Sequence, residues 1–178
     1  MDEKEFVKIL HTELKKTLKG YSVTKKESLI YKIIVDEKGE FQPNNAKRPS
    51  RGNLAFQTDL LVKKGNLPLA VIEAKVGGFS THDVLTYSTK AIKHKEVYPY
   101  LRYGLVVGNV KVITNKFFTH NSGLDFALAI ENIKNLKPFV DIVKEQIKNS
   151  EILIGILKNK NKTKLFSTKL RIDKNGIR

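Results

Sequence analysis

Residues 54–76 read LAFQTDLLVKKGNLPLAVIEAKV. Two apolar segments in this stretch are separated by Gly65-Asn66, a pair that favours a tight turn between antiparallel strands. We therefore predict strands over Leu54–Lys63 and Leu69–Val76, joined as a β-hairpin.

Three charged residues interrupt these otherwise apolar strands. Asp59 lies in the first strand, and Glu73 and Lys75 lie near the end of the second. Residues two apart on a strand share a face, so Glu73 and Lys75 point to the same side. A charge in a half-buried strand is costly unless it is paired or binds a metal. The alternatives are therefore a cross-strand salt bridge and a catalytic site.

A catalytic site of this composition suits metal-assisted phosphodiester hydrolysis. Two carboxylates on adjacent strands, Asp59 and Glu73, form an oxygen site appropriate for Mg²⁺. A nearby amine, here Lys75, can orient or deprotonate a water molecule and balance charge on an attacked phosphate.

The flanking segments predict an α/β fold with a central mixed β-sheet flanked by helices. The other predicted elements are, in chain order, a helix over Glu3–Lys19, a strand over Ser28–Val35, a helix from Ser80 or Thr81 to about Val97, a strand over Tyr103–Val107 and a helix over Pro138–Leu157. The segments Val110–Thr119 and Phe126–Ile130 fit either a helix or a strand. We expect residues 1–178 to form a single domain.

The acidic and basic residues of the hairpin form a recognisable signature. Asp59, thirteen intervening residues and then Glu73-Ala74-Lys75 resemble the motif of the PD-(D/E)XK nuclease superfamily, which includes most type II restriction endonucleases. The restriction-endonuclease-like core of helix, three strands, helix and strand matches the predicted order over residues 1–108. Thr58 stands where the motif often has Pro. Residues 109–178 have no counterpart and are predicted to form a C-terminal helical extension and a basic tail.

This resemblance implies a site for Mg²⁺, with Mn²⁺ as the substitute ion in such enzymes. The metal ligands would be Asp59, Glu73 and the carbonyl oxygen of Ala74. Lys75 would position the nucleophilic water. The implied activity is that of a Mg²⁺-dependent DNA endonuclease, most simply a type II restriction enzyme.

Two further residues are candidates for accessory roles. Many members of the superfamily add a Glu from the first helix, and Glu13 is the candidate here, with Glu5 and Glu27 as alternatives. A solvated helix face also explains all three. Gln57 lies two residues before Asp59 on the same strand face. It fits either a hydrogen-bonding role in the site or an ordinary half-buried polar position.

The net charge favours a polyanionic partner such as double-stranded DNA. The chain has 33 Lys and Arg against 18 Asp and Glu, a formal charge of +15, and such an excess suits a phosphate backbone. General enrichment of the surface in lysine is the alternative explanation. The candidate DNA-binding residues are Lys47, Arg48 and Arg51 in a long loop, Ser80 before the second helix, and Tyr87 and Lys90 on that helix.

Each of these candidates also has a structural interpretation. The loop can be a solvated connector, Ser80 can cap the helix, and Tyr87 and Lys90 can belong to a polar outer face. Asp83-x-x-x-Tyr87 partly resembles the Gln-x-x-x-Tyr element of RecB-like nucleases, with Asp in place of Gln.

The histidine and cysteine content limits other chemistry. Four histidines, His11, His82, His94 and His120, lack paired zinc-ligand spacing, and we expect them at the surface or on DNA. The absence of cysteine excludes disulfides, thiolate nucleophiles and cysteine-ligated zinc.

The remaining expectations concern location and assembly. Apolar segments are too short to cross a bilayer, so we expect a cytoplasmic protein. Cutting both strands of a duplex requires two sites, which predicts a homodimer, with Pro138–Leu157 either at the contact or buried within the domain. A cognate DNA methyltransferase is a possible partner. A Holliday-junction resolvase and a non-catalytic DNA-binding module remain as alternatives.

Overall fold

The described residues form an α/β fold around a mixed five-stranded sheet. The computed structural model describes residues 1–45, 49, 54–160, 162–167 and 171–172. The elements are α1 (Glu3–Thr17), β1 (Ser22–Lys25), β2 (Ser28–Ile30), β3 (Ile34–Val35), β4 (Phe41–Gln42), β5 (Ala55–Gln57), β6 (Leu60–Lys64), β7 (Leu67–Val76), α2 (Thr81–Val97), β8 (Arg102–Gly108), α3 (Asn115–His120), β9 (Phe126–Ile130) and α4 (Lys137–Leu157).

The central sheet has the strand order β1-β6-β7-β8-β9. Strands β1, β6 and β7 pair antiparallel, whereas β7, β8 and β9 pair parallel. This arrangement confirms the predicted α/β class and mixed sheet. The pairs β2–β5 and β3–β4 form two small separate sheets.

The predicted hairpin is confirmed and forms the centre of the fold. Leu60 of β6 pairs with Ile72 of β7. Gly65 in the turn adopts a positive φ of 59°, a conformation that glycine enters without a Cβ penalty. Because β7 is bonded to β6 on one side and β8 on the other, it lies in the middle of the sheet.

Helices cover both faces of this sheet. On one face, Ile72 and Ala74 pack with residues of α1 and α4 in one apolar cluster. On the other face, Val71 and Leu105 pack with residues of α2. Alternate residues of β7 therefore face opposite layers, and Glu73 lies on the α2 side.

Several element boundaries differ from the sequence-based prediction. The predicted strand over Ser28–Val35 is two short strands, because Ser28–Ile30 pairs with β5 and Ile34–Val35 pairs with β4. The predicted strand over Leu54–Lys63 is divided at Thr58, whose N–H donates to the carbonyl of Glu27. There the chain leaves the small sheet and enters the central one.

In the described part of the chain, three elements follow β8. Within the ambiguous segments, Asn115–His120 is helical and Phe126–Ile130 is the parallel edge strand β9. Helix α4 buries Phe139, Val143 and Ile147, whereas Ile152 and Leu157 near its end are exposed. In the described part of the chain, no helix combines the length and apolar character required to cross a membrane.

A tight contact between β8 and β9 gives a test of this packing. A Cβ atom added at Gly104 would lie 2.1 Å from the Phe126 ring, so Gly104→Ala should lower the free energy of unfolding by about 2–3 kcal/mol through overpacking. Chemical denaturation measures this loss. Gly108→Ala on the same strand is the control, since its nearest contact with the Phe6 ring would be 2.9 Å, and its loss should be smaller. Equal losses would contradict the packing described.

Candidate active site

A cavity of about 380 Å³ lies beside β7 on the α2 side of the sheet. It is bounded by side chains from α1, β5, β7, α2 and the connections after β2 and before β6. The lining residues are Glu3, Tyr31, Ala55, Phe56, Gln57, Asp59, Glu73, Tyr87 and Lys90. Acidic, basic and aromatic side chains therefore converge on one small space.

Asp59 and Glu73 lie next to each other at this cavity. The backbone N–H of Ala74 donates to Oδ2 of Asp59 at 2.9 Å. Asp59 immediately precedes β6, and continuation of the Leu60–Ile72 register sets it opposite Glu73. The hairpin thus brings together the two carboxylates that the sequence predicts as a pair.

Glu73 is buried, with 2 % of its surface exposed. The Tyr103 hydroxyl donates to its Oε1 at 2.6 Å, and Nζ of Lys90 lies 3.5 Å from the same oxygen. Burial raises the pKa of Glu73 to about 7; the Lys90 ammonium opposes this rise, and the Asp59 carboxylate adds to it. Lys90 and the Tyr103 hydroxyl therefore do not fully offset the cost of burying a charged carboxylate at Glu73.

Lys75 is stabilised by other acids. Its Nζ lies 3.4 Å from Oε2 of Glu3 and 3.5 Å from Oδ1 of Asp83. None of the ion pairs in the described ranges joins Lys75 to Asp59 or Glu73, so the simple cross-strand salt bridge is not formed. Partial burial lowers the pKa of Lys75, but Glu3 and Asp83 together raise it above its ordinary value. This amine is an ammonium donor rather than a base.

Tyr87 lies close to two ammonium groups. Its ring centroid is 6.0 Å from Nζ of Lys75 and 5.5 Å from Nζ of Lys90, within the range of cation–π attraction. Tyr87 is largely buried, and Tyr87 and Lys90 both line the cavity. They therefore do not form a polar outer face of α2.

The glutamate of α1 that reaches the cavity is Glu3, which sequence analysis missed. Glu13 is ten residues further along α1 and therefore about 15 Å away along the helix axis. Glu5 is exposed. The Glu27 carboxylate accepts hydrogen bonds from the Thr24 hydroxyl and the Lys63 ammonium. Only the docking of α1 brings its first turn toward Lys75, and no local pattern in the sequence encodes that docking.

Tyr103 is the second residue that sequence analysis missed. In the parallel register, Tyr103 pairs with Val71 and Leu105 pairs with Glu73, so Tyr103 is a diagonal neighbour of Glu73 on one face. The presence of a tyrosine within the predicted apolar strand was the available signal, because a buried phenol usually requires a hydrogen-bond partner.

The remaining predicted accessory and DNA-binding residues lie in different parts of the chain. Gln57 lines the cavity while its side-chain amide donates to the carbonyl of Lys26 at 3.0 Å. Ser80 accepts a hydrogen bond from the Asp83 N–H at 3.1 Å in a capping box, which supports its structural interpretation. The loop residues Lys47, Arg48 and Arg51 lie outside the described residues.

The expectation of surface histidines is wrong for His94. Its ring is fully buried, and Nε2 donates to the Leu29 carbonyl at 3.1 Å. Burial lowers the pKa of His94 to about 4, so the imidazole is neutral at physiological pH. His94 turns inward because Tyr87, Ala91 and His94 follow the buried stripe of α2.

The donor atoms at the cavity are compatible with Mg²⁺. Among the described residues, no group of three or more His, Asp or Glu side chains is arranged to hold a metal ion. Mg²⁺, however, commonly takes one or two protein carboxylates and retains several waters. Asp59 and Glu73 supply two carboxylates, and the partly uncompensated charge at Glu73 would be stabilised by a cation. The Ala74 carbonyl faces the same strand edge as its N–H, toward Asp59.

Comparison with known protein families finds no family model that matches the chain, and comparison with curated proteins finds no significant match.

The raised pKa of Glu73 predicts a pH-dependent stability in the metal-free protein. The pKa of Glu73 in the folded protein, about 7, exceeds its ordinary value. The stability that Glu73 contributes is therefore fully present below about pH 4.5, where the carboxyl group is protonated, and is lost as pH rises through 7. Glu73→Gln should therefore stabilise the fold at pH 8, by on the order of 3 kcal/mol, and change it little at pH 4.5.

Chemical denaturation at both pH values, with a chelator present, measures this effect. Glu37→Gln is the control, because Glu37 is exposed. The prediction fails if Glu73→Gln has the same effect on stability at pH 4.5 and at pH 8.

Proposed function

We propose that this protein is a Mg²⁺-dependent endonuclease that hydrolyses phosphodiester bonds of double-stranded DNA. The observation that carries the proposal is the juxtaposition of Asp59 and Glu73 at one cavity, with Lys75 on the same face of β7. This is the minimum set of groups for metal-assisted hydrolysis of a phosphodiester.

In this proposal, Asp59, Glu73 and the Ala74 carbonyl would hold the metal. A bound Mg²⁺ would supply Lewis-acid polarisation of the phosphate and would make the attacking water more acidic. Tyr103 fixes one oxygen of Glu73 through its hydroxyl and so orients the carboxylate.

The two ammonium groups act on water and phosphate. Lys75, fixed between Glu3 and Asp83, donates hydrogen bonds that position the attacking water. Lys90 lines the same cavity and supplies positive charge to the phosphate as negative charge develops on its oxygens. Glu3 and Asp83 are positioning residues, since they act through Lys75.

The order of elements supports a restriction-endonuclease-like core. Helix α1 precedes the antiparallel strands β1, β6 and β7, and α2 then leads to the parallel strand β8. We propose that the chain belongs to the PD-(D/E)XK nuclease superfamily and resembles type II restriction enzymes. Under this proposal the protein acts as a homodimer, because each duplex strand needs a site, and a cognate methyltransferase protects the host DNA.

Catalytic substitutions test the function directly. With Mg²⁺, the protein should cut duplex DNA, and Asp59→Asn, Glu73→Gln and Lys75→Met should each slow cleavage at least ~100-fold by removing a metal ligand or charge stabilisation. Gel analysis of cleavage products measures the rate, and anisotropy of labelled DNA should show that binding is retained.

Lys111→Met is the matched control, since Lys111 is an exposed lysine on the connection after β8. It should cut at close to the wild-type rate. If no preparation cuts duplex DNA, or if the control loses as much activity as Lys75→Met, the proposal is wrong. Strong preference for a four-way junction over linear duplex would instead favour the resolvase alternative.

Metal binding provides a test that is independent of cleavage. Mg²⁺ or Mn²⁺ should raise the thermal unfolding midpoint, because a ligand that binds only the folded state stabilises it. Asp59→Asn should greatly reduce that rise, whereas the surface variant Asp141→Asn should retain it. Equal shifts in both variants would place the metal elsewhere.

A further inference from the structure

Two aromatic side chains form one wall of the cavity. The rings of Tyr31 and Phe56 are stacked, with centroids 3.9 Å apart and planes inclined by 11°. Tyr31 immediately follows β2, and Phe56 lies in β5, which pairs with β2. We call Tyr31 and Phe56 the aromatic wall. Both residues line the cavity that contains Asp59 and Glu73.

The aromatic wall is not part of the hydrophobic core. Tyr31 and Phe56 are only partly buried, whereas the core aromatics Phe6 and Phe139 are fully buried in the cluster beneath α1 and α4. The wall is nevertheless held in place, because the His94 ring packs edge-on against Phe56 with centroids 5.8 Å apart. A braced aromatic surface therefore faces a polar cavity.

The other side of this cavity carries the groups that suit a phosphate. Nζ of Lys90 lies beside Glu73, and Asp59 and Glu73 would hold Mg²⁺ under the proposed function. A nucleotide combines a flat aromatic base, whose faces can stack on other rings, with a charged phosphate. The cavity offers the complementary pair of surfaces within about 380 Å³, a volume within the range of small-molecule pockets.

We propose that the aromatic wall stacks an unpaired nucleobase of the DNA strand whose phosphate lies at Asp59 and Glu73, an inference that rests on the proposed function. A base inside a duplex is covered on both faces by its neighbours, so it must leave the stack to enter such a pocket. Base stacking on aromatic rings tolerates any sequence. The substrate is thus a duplex with an extruded or unpaired nucleotide beside the cleaved bond.

Two labelled DNA probes test this inference without cleavage. One is a fully paired duplex, and the other is the same duplex with a single unpaired nucleotide. With Ca²⁺ in place of Mg²⁺, so that a divalent cation is present, fluorescence anisotropy should show about tenfold tighter binding of the second probe, because stacking of one base contributes an affinity factor of this order.

The variants separate stacking from a structural role of Tyr31. Tyr31→Leu should bind the bulged probe no more tightly than the paired probe, whereas Tyr31→Phe keeps the ring and should keep the preference. Thermal unfolding confirms that both variants fold. Equal affinity of the wild type for both probes, or an unchanged preference in Tyr31→Leu, would overturn the inference.

Cleavage of both probes with Mg²⁺ distinguishes the two proposals. Cleavage of both probes with no preference in affinity or rate would overturn the stacking inference and leave the nuclease function supported. A preference in affinity that depends on Tyr31, with no cleavage of either probe, would support the base site and overturn the nuclease function.

Discussion

The candidate site depends on the hydrogen bond from the Ala74 N–H to the Asp59 carboxylate. This bond fixes the residue before β6 against the end of β7, and it places two acids side by side in the sheet. Like charges so close are unfavourable without a cation or a proton, and burial of Glu73 increases that cost. Tyr103, Lys90 and the surrounding packing hold this unfavourable arrangement in place.

The parts of the fold that depend on local pattern could be predicted from sequence. The Gly65-Asn66 turn and the period-two alternation determined both the hairpin and the face that Glu73 occupies. The short strand β1 was not predicted, because its four residues, Ser22–Lys25, have a burial pattern with a single buried position. The break at Thr58 was also missed, since it arises from a hydrogen bond to Glu27 outside the strand itself.

The site residues could likewise be predicted only where their proximity depends on local sequence pattern. Asp59, Glu73 and Lys75 lie on adjacent strands of one hairpin, so their proximity follows from the turn. Glu3 reaches Lys75 through the docking of α1, which is a long-range contact. Tyr103 reaches Glu73, thirty residues earlier in the chain, because β7 and β8 pair in one particular parallel register. The hydrophobic periodicity of a single sequence does not reveal such a register.

The buried His94 ring has a mechanical consequence. It contacts the Phe56 ring edge-to-face and also stacks with the Tyr103 ring, with His94 and Tyr103 centroids 5.6 Å apart and planes inclined by 22°. The imidazole therefore links the aromatic wall to the phenol that orients Glu73 through two successive ring contacts. Close packing of this kind restricts the space in which each ring can move.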